Sequence, residues 1–175
     1  MPPKKSSSLH TLSVLVENKP GVLTRVSALF SRRAFNIHSL AVGPTDHPDV
    51  SRITVVVKAQ RVPFEQITKQ LNKLVNVIKI VELEPGASVQ RKLTLVKVRA
   101  DRKTRSAVLQ IVDVFRAHVV DMGPQSVVVE AVGSEEKTDA LLTALESYGI
   151  EEIVQSGIVG IGRGLRSMTE QLKEK

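Results

Sequence analysis

The sequence predicts an α+β protein made of two successive ferredoxin-like βαββαβ units. Three observations carry that expectation. Alternating strand-like segments and apolar helical stripes follow one another in the order β, α, β, β, α, β. The same order begins again after about 80 residues. Between the two runs, Glu84-Pro85-Gly86-Ala87-Ser88 breaks both periods and reads as a linker.

The first strand, 9–17, sets Leu12, Val14 and Val16 against Thr11, Ser13 and Leu15. Helix 21–33 carries Val22, Val26, Leu29 and Phe30 on one stripe. Strands 36–43 and 50–58 follow, joined by turn residues from Gly43-Pro44 to Pro48-Asp49. The second of them opposes Ile53, Val55 and Val57 to Arg52, Thr54, Val56 and Lys58. Helix 63–74, with Phe64, Ile67, Leu71 and Leu74 on one side, and strand 77–83 complete the first unit.

The second unit opens with strand 92–99 and helix 102–116, whose stripe is Val108, Ile111, Val112 and Phe115. Strands 118–122 and 126–133, helix 134–146 (Leu141, Leu145, then Tyr148) and strand 150–156 follow. Phe30 and Phe115 hold like positions, as do Gly43-Pro44 and Gly123-Pro124. The expected organisation is a disordered tail at 1–8, a domain at 9–84, a linker at 85–90, a second domain at 91–157 and a tail at 158–175. A split βαβ unit packs both helices on one sheet face, so the other face, with Leu15 and Val56, is expected to be covered by dimerisation or by mutual packing.

Composition excludes several classes. The 175 residues contain no cysteine, which removes disulfides, thiolate zinc sites and cysteine nucleophiles and fits a reducing cytoplasm. No apolar run approaches the roughly 20 residues that span a bilayer. Net charge is +7 and uneven: residues 1–87 hold 12 Lys/Arg against 6 Asp/Glu, and residues 88–175 hold 13 against 12. The four histidines do not fall at metal-ligand spacing, and no metal site is expected. Neither a G-x-S-x-G elbow nor a Walker loop is present, and nothing in the chain argues for catalysis.

One segment reads either as plain helix-start chemistry or as a ligand site. Asn18-Lys19-Pro20-Gly21-Val22-Leu23 lies where the first strand ends and the first helix begins. Proline presets a helical φ, and glycine permits close approach of the backbone. The first-turn N–H groups have no acceptor within the helix and can hold a carboxylate. Asn36, after that helix, offers an amide that can reach such a ligand across a dimer. The second unit has Arg99-Ala100-Asp101-Arg102-Lys103 at the equivalent turn, without Asn, Pro or Gly, so the first unit is the sensor candidate. The run Gly157-Ile158-Val159-Gly160-Ile161-Gly162-Arg163-Gly164 lacks G-x-G-x-x-G spacing at a helix start and is expected to be a flexible terminal segment. Its apolar Ile158, Val159 and Ile161 leave room for ordering against a partner. The RRM shares this topology but stacks bases on strand aromatics, where these central strands offer Arg52-Ile53-Thr54-Val55.

The run from Leu12 through Asn18-Lys19-Pro20-Gly21 to Phe35-Asn36-Ile37 resembles an ACT domain. With Ser39-Leu40-Ala41-Val42-Gly43-Pro44-Thr45-Asp46, 66–74 and Ser156-Gly157-Ile158-Val159-Gly160, residues 9–164 resemble the small regulatory subunit of acetolactate synthase (acetohydroxyacid synthase). The resemblance implies a non-catalytic, cytoplasmic protein with no cofactor, nucleic acid or membrane of its own. Its implied partners are a second copy, in a homodimer, and a large catalytic subunit that carries thiamine diphosphate, Mg2+ and FAD and makes acetolactate. It also implies activation of that subunit and feedback inhibition by valine, or by leucine or isoleucine, in branched-chain amino acid synthesis. By motif match, the effector contacts fall on Asn18, Pro20, Gly21, Val22 and Leu23 of one protomer, and on Asn36 and Ile37 of the other. A stand-alone ACT regulator of transcription or RNA is the alternative. Two positions depart from the pattern: Ala34 replaces the usual glycine after the helix, and His38 stands where an acidic residue is common. If Ala34 has positive φ, strain there weakens or alters the effector response, and His38 adds pH sensitivity.

Overall fold

The computed structural model describes residues 8–170. Of these, residues 8–89 together with 158–170 belong to one compact unit, and Gln90–Gly157 form the other. In the first, β1 (Ser8–Glu17), α1 (Val22–Arg32), β2 (Ile37–Pro44), β3 (Val50–Ala59), α2 (Arg61–Leu71) and β4 (Val77–Glu82) follow the predicted order. The sheet order is β2-β3-β1-β4, and all three pairings are antiparallel. The βαββαβ expectation holds.

One sheet face and the two helices close the core. Leu12, Val14 and Val16 of β1 and Ile53, Val55 and Val57 of β3 meet Val22, Val26, Leu29 and Phe30 of α1 and Phe64, Ile67 and Leu71 of α2. Phe30 has no exposed surface. Complete burial of one such side chain contributes roughly 1.5–3 kcal/mol. His10 stacks on Phe64 at 4.1 Å and pairs through Nδ1 with Glu82 at 2.9 Å, so its polar edge keeps a partner inside the core margin.

The second unit repeats the plan with β5 (Ser88–Arg99), α3 (Arg105–Val114), β6 (His118–Met122), β7 (Ser126–Gly133), α4 (Glu135–Glu146) and β8 (Ile150–Gln155), in sheet order β6-β7-β5-β8. Val96, Val98, Val108, Val112, Val127, Val129, Leu141 and Leu145 form its core.

Leu15 and Val56 lie on the sheet face opposite the helices, and only 0 and 1% of their surface is exposed, so of the two expected remedies packing within one chain already covers these two residues. Two expectations change. The linker is shorter than 85–90: Pro85–Ala87 makes a single 3-10 turn and β5 starts at Ser88. The glycine-rich stretch is ordered rather than flexible. Val159–Gly162 forms β9, which pairs with β5; Ile158 is buried, and its N–H donates to Ser39 Oγ at 2.6 Å. Apolar side chains between glycines let this segment lie close to a sheet and leave anchors on it. The expected tail 1–8 lies outside the described residues except at Ser8, where β1 begins.

Both repeats end their first helix alike. Phe35 N–H donates to Phe30 O and Ala34 N–H to Ser31 O, at 3.0 Å each, which is the Schellman arrangement, and Ala34 sits at φ 55°. Ala117 and Arg116 do the same at the end of α3, with Arg116 at φ 51°. A Cβ in this conformation strains the backbone. Ala34→Gly is therefore expected to stabilise the chain by about 1 kcal/mol in urea unfolding. An unchanged midpoint would remove strain from this account.

Candidate functional site

The β1–α1 connection turns on Gly21, at φ 82° and ψ −7°, immediately before the first helical residue. That conformation belongs to glycine, and a Cβ built there meets nothing within 4 Å, so the site is open in front of it. No side chain caps α1. Arg25 N–H reaches Gly21 O, and Val22 N–H reaches Lys19 O at 3.4 Å. The N–H groups of Leu23 and Thr24 find no acceptor among the described residues. They point, with the positive end of the helix dipole, into the open space at the turn.

The connection is rigidly held. Asn18 donates its N–H to Asp49 O at 2.8 Å and its side-chain amide to Pro48 O at 3.1 Å, which ties the loop to the β2–β3 turn. Asn76 donates to Glu17 Oε2 at 2.6 Å and accepts from Arg25 at 2.8 Å, joining β1, α1 and the start of β4. The Asn76 amide, then Lys19, holds the Glu17 carboxyl below its ordinary value. Asn76 was not legible in sequence, because a single polar residue in a loop forms no pattern.

The equivalent turn of the second unit is closed by its own acid. Asp101 Oδ1 accepts from Thr104 N–H at 2.9 Å, Lys103 N–H at 2.8 Å and Thr104 Oγ1 at 3.0 Å. A carboxylate thus occupies the N–H groups that lead into α3. No side chain does this at α1, where the N–H groups of Leu23 and Thr24 have no acceptor among the described residues.

Of the other predicted residues, Pro20, Leu23 and Asn36 are exposed, Val22 is buried in the core and Ile37 is half-buried. Asn36 does not meet Gly21 within one chain. Ile37 and His10 both face Val57, whereas Glu17 faces Val50, so the two ends of the candidate site are seven strand residues apart along β1. At about 3.4 Å per residue that is roughly 24 Å. Asn36 stands at the start of β2, an edge strand, where a second chain has access to it.

Known proteins match both units. A family model described as "AHAS small subunit-like ACT domain" matches residues 12–79, and another, "Small subunit of acetolactate synthase", matches residues 91–164. The chain belongs to the acetolactate synthase small-subunit family. The acetolactate synthase small subunit of Mycolicibacterium smegmatis is 61% identical over 159 residues, 91% of this chain and 94% of that protein. That of Mycobacterium bovis is 60% identical over 163 residues, covering 93 and 97%. The crystal structure of the small subunit from Thermotoga maritima superposes with a TM-score of 0.83 at 37% identity, over 91% of this chain and 99% of that one. As an acetolactate synthase small subunit with an N-terminal ACT domain the chain is regulatory, and its family implies a catalytic large subunit as partner. No described helix is long and apolar enough to cross a membrane.

The self-capped turn has a pH signature. The Thr104 and Lys103 donors hold the Asp101 carboxyl below its ordinary value. Its contribution is therefore present in full above about pH 4 and lost as the pH falls below that. Asp101→Ala is expected to lower the calorimetric melting temperature at pH 7, with the gap to the parent chain narrowing at pH 3. A gap that is the same at both pH values contradicts the cap.

Proposed function

We propose that this small subunit activates the acetolactate synthase large subunit and makes it sensitive to feedback by a branched-chain amino acid, valine foremost, in valine, leucine and isoleucine synthesis. The supporting observation is the contrast between two homologous turns. The turn before α3 is neutralised by Asp101, whereas the turn before α1 is uncapped, glycine-shaped and held rigid. An amino-acid carboxylate is the group that such an open helix start favours.

In this reading the effector carboxylate lies at the first-turn N–H groups around Gly21 to Leu23, of which that of Leu23 has no acceptor among the described residues, and Asn18 Oδ1 accepts from its ammonium. Pro20, Leu23 and Ile37 supply apolar contact for the branched side chain, while Val22 anchors the helix start from within the core. Asn36 and Ile37 come from the second protomer of a homodimer, because within one chain the levels of Ile37 and Glu17 in the sheet lie seven strand residues apart, roughly 24 Å. Selection among valine, leucine and isoleucine rests on the apolar wall, where one methylene discriminates by about 1–3 kcal/mol. The large subunit supplies thiamine diphosphate, Mg2+ and FAD in the cytoplasm, and no residue of this chain is assigned to them. Regulation is then a coupling free energy between effector binding and the large subunit's active arrangement.

Titration calorimetry is expected to show saturable valine binding to the parent chain and none to Gly21→Asp. That substitution strains a φ of 82° and sets a negative charge where the carboxylate lies. Co-expression with the host's thiamine-diphosphate synthase is expected to raise acetolactate output, and valine to reduce it about fivefold or more. Valine binding that survives Gly21→Asp overturns the site; absence of stimulation overturns the function.

A further inference from the structure

The sheet face opposite the helices carries a second site. Strand registers place Arg52, Leu15 and Lys79 in one row across β3, β1 and β4, with Ser13 at the next same-face position of β1. The two cationic residues are thus two strands apart, about 10 Å between Cα atoms, with the apolar Leu15 between them. Above this row lies a cavity of about 440 Å3, roofed by the returning segment with Gly160, Gly162 and Arg166. That is within the size range of small-molecule pockets.

The chemistry of the lining is one-sided. Arg52, Lys79 and Arg166 contribute positive charge, and no Asp or Glu lines the cavity. Among the described residues, neither Arg52 nor Lys79 has a carboxylate partner. Ser13 has no exposed surface, and its Oγ has no hydrogen-bond partner; Arg52 Nε is likewise buried and unpaired. Orphaned polar atoms of this kind are uncommon in folded proteins, because each forfeits its bonds to water. An acceptor-rich, negatively charged guest satisfies all of them together. Guanidinium and ammonium groups are the usual partners of phosphate and carboxylate oxygens.

We propose that this cavity binds a small multivalent oxyanion, either a phosphate ester or a polycarboxylate, between the outer face of the ACT sheet and the glycine-rich segment. Arg52 and Lys79 clamp the oxyanion from either side of Leu15. Ser13 Oγ donates to it from below. The glycines at 160 and 162 let the roof backbone approach closely, which gives this run a function unrelated to the dinucleotide fingerprint. The site is separate from the Gly21 turn and does not depend on the effector reading.

The full chain is titrated by calorimetry with inorganic pyrophosphate and, separately, with citrate. At least one is expected to bind saturably and to slow amide hydrogen exchange in residues 160–168. The stronger of the two identifies the phosphate or the polycarboxylate source. Arg52→Gln and Lys79→Gln are each expected to weaken binding about tenfold, the loss of one charge-assisted contact. Lys73→Gln, which removes an exposed cation remote from the cavity, leaves it unchanged. Lys79→Gln lies on an edge strand and keeps the test decisive if Arg52→Gln fails to fold. Gly21→Asp, which abolishes valine binding, leaves anion binding intact. Absence of binding by both anions, or binding that survives Arg52→Gln and Lys79→Gln or falls equally with Lys73→Gln, overturns the proposal.

Discussion

The antiparallel pairing of β1 with β3 on one side and β4 on the other is the constraint from which the rest of the first unit follows. A strand with a neighbour on both edges has no freedom of register, since a slip of one residue would carry Leu12, Val14 and Val16 out of the core. That register fixes where Glu17 ends the strand and therefore where Gly21 must turn the chain into α1. It also fixes the outer row of Arg52, Leu15 and Lys79. Core, the uncapped turn proposed for the effector and the cavity proposed for an anion are three consequences of one alignment.

Duplication of the unit sets two versions of the same turn side by side. Both copies drive a central strand into a helix, and both end that helix with a non-glycine residue in the left-handed region. They differ in what meets the N–H groups at the helix start. The second copy supplies Asp101 and is complete by itself; the first supplies only the backbone, shaped by Gly21 and braced by Asn18, Glu17, Arg25 and Asn76. An uncapped helix start tied down by hydrogen bonds suits the proposed binding, because donors that are already aimed leave little ordering entropy to oppose it.

Most of the architecture was legible in the sequence because alternation and helical stripes report which face is buried. The strand and helix order and the difference between the two turns were readable from residue type at a known offset, whereas the positive φ at Ala34 was raised only as a condition, from the glycine that the resemblance implies there. The long-range features were not. The return of Ile158 to Ser39 spans 119 residues, and a run of glycines separated by single aliphatics carries no period that announces a partner. For the same reason Leu15 and Val56 read as an open face, although a single chain buries both. Arg52 and Lys79 lie on different strands, so their convergence needed the register, which sequence alone does not supply.

The central claim is that the effector site is assembled from two chains, Gly21 of one and Asn36 of the other. Mixing separately purified Gly21→Asp and Asn36→Ala proteins, allowing subunit exchange, and counting valine sites by calorimetry tests it most directly. Each homodimer has both sites damaged, whereas each mixed dimer carries both lesions in one site and leaves the other whole. The account predicts that neither variant binds alone and that the mixture recovers about one quarter of the parental site number, the share expected when half of the dimers are mixed. A mixture that binds no more valine than the separate variants contradicts it.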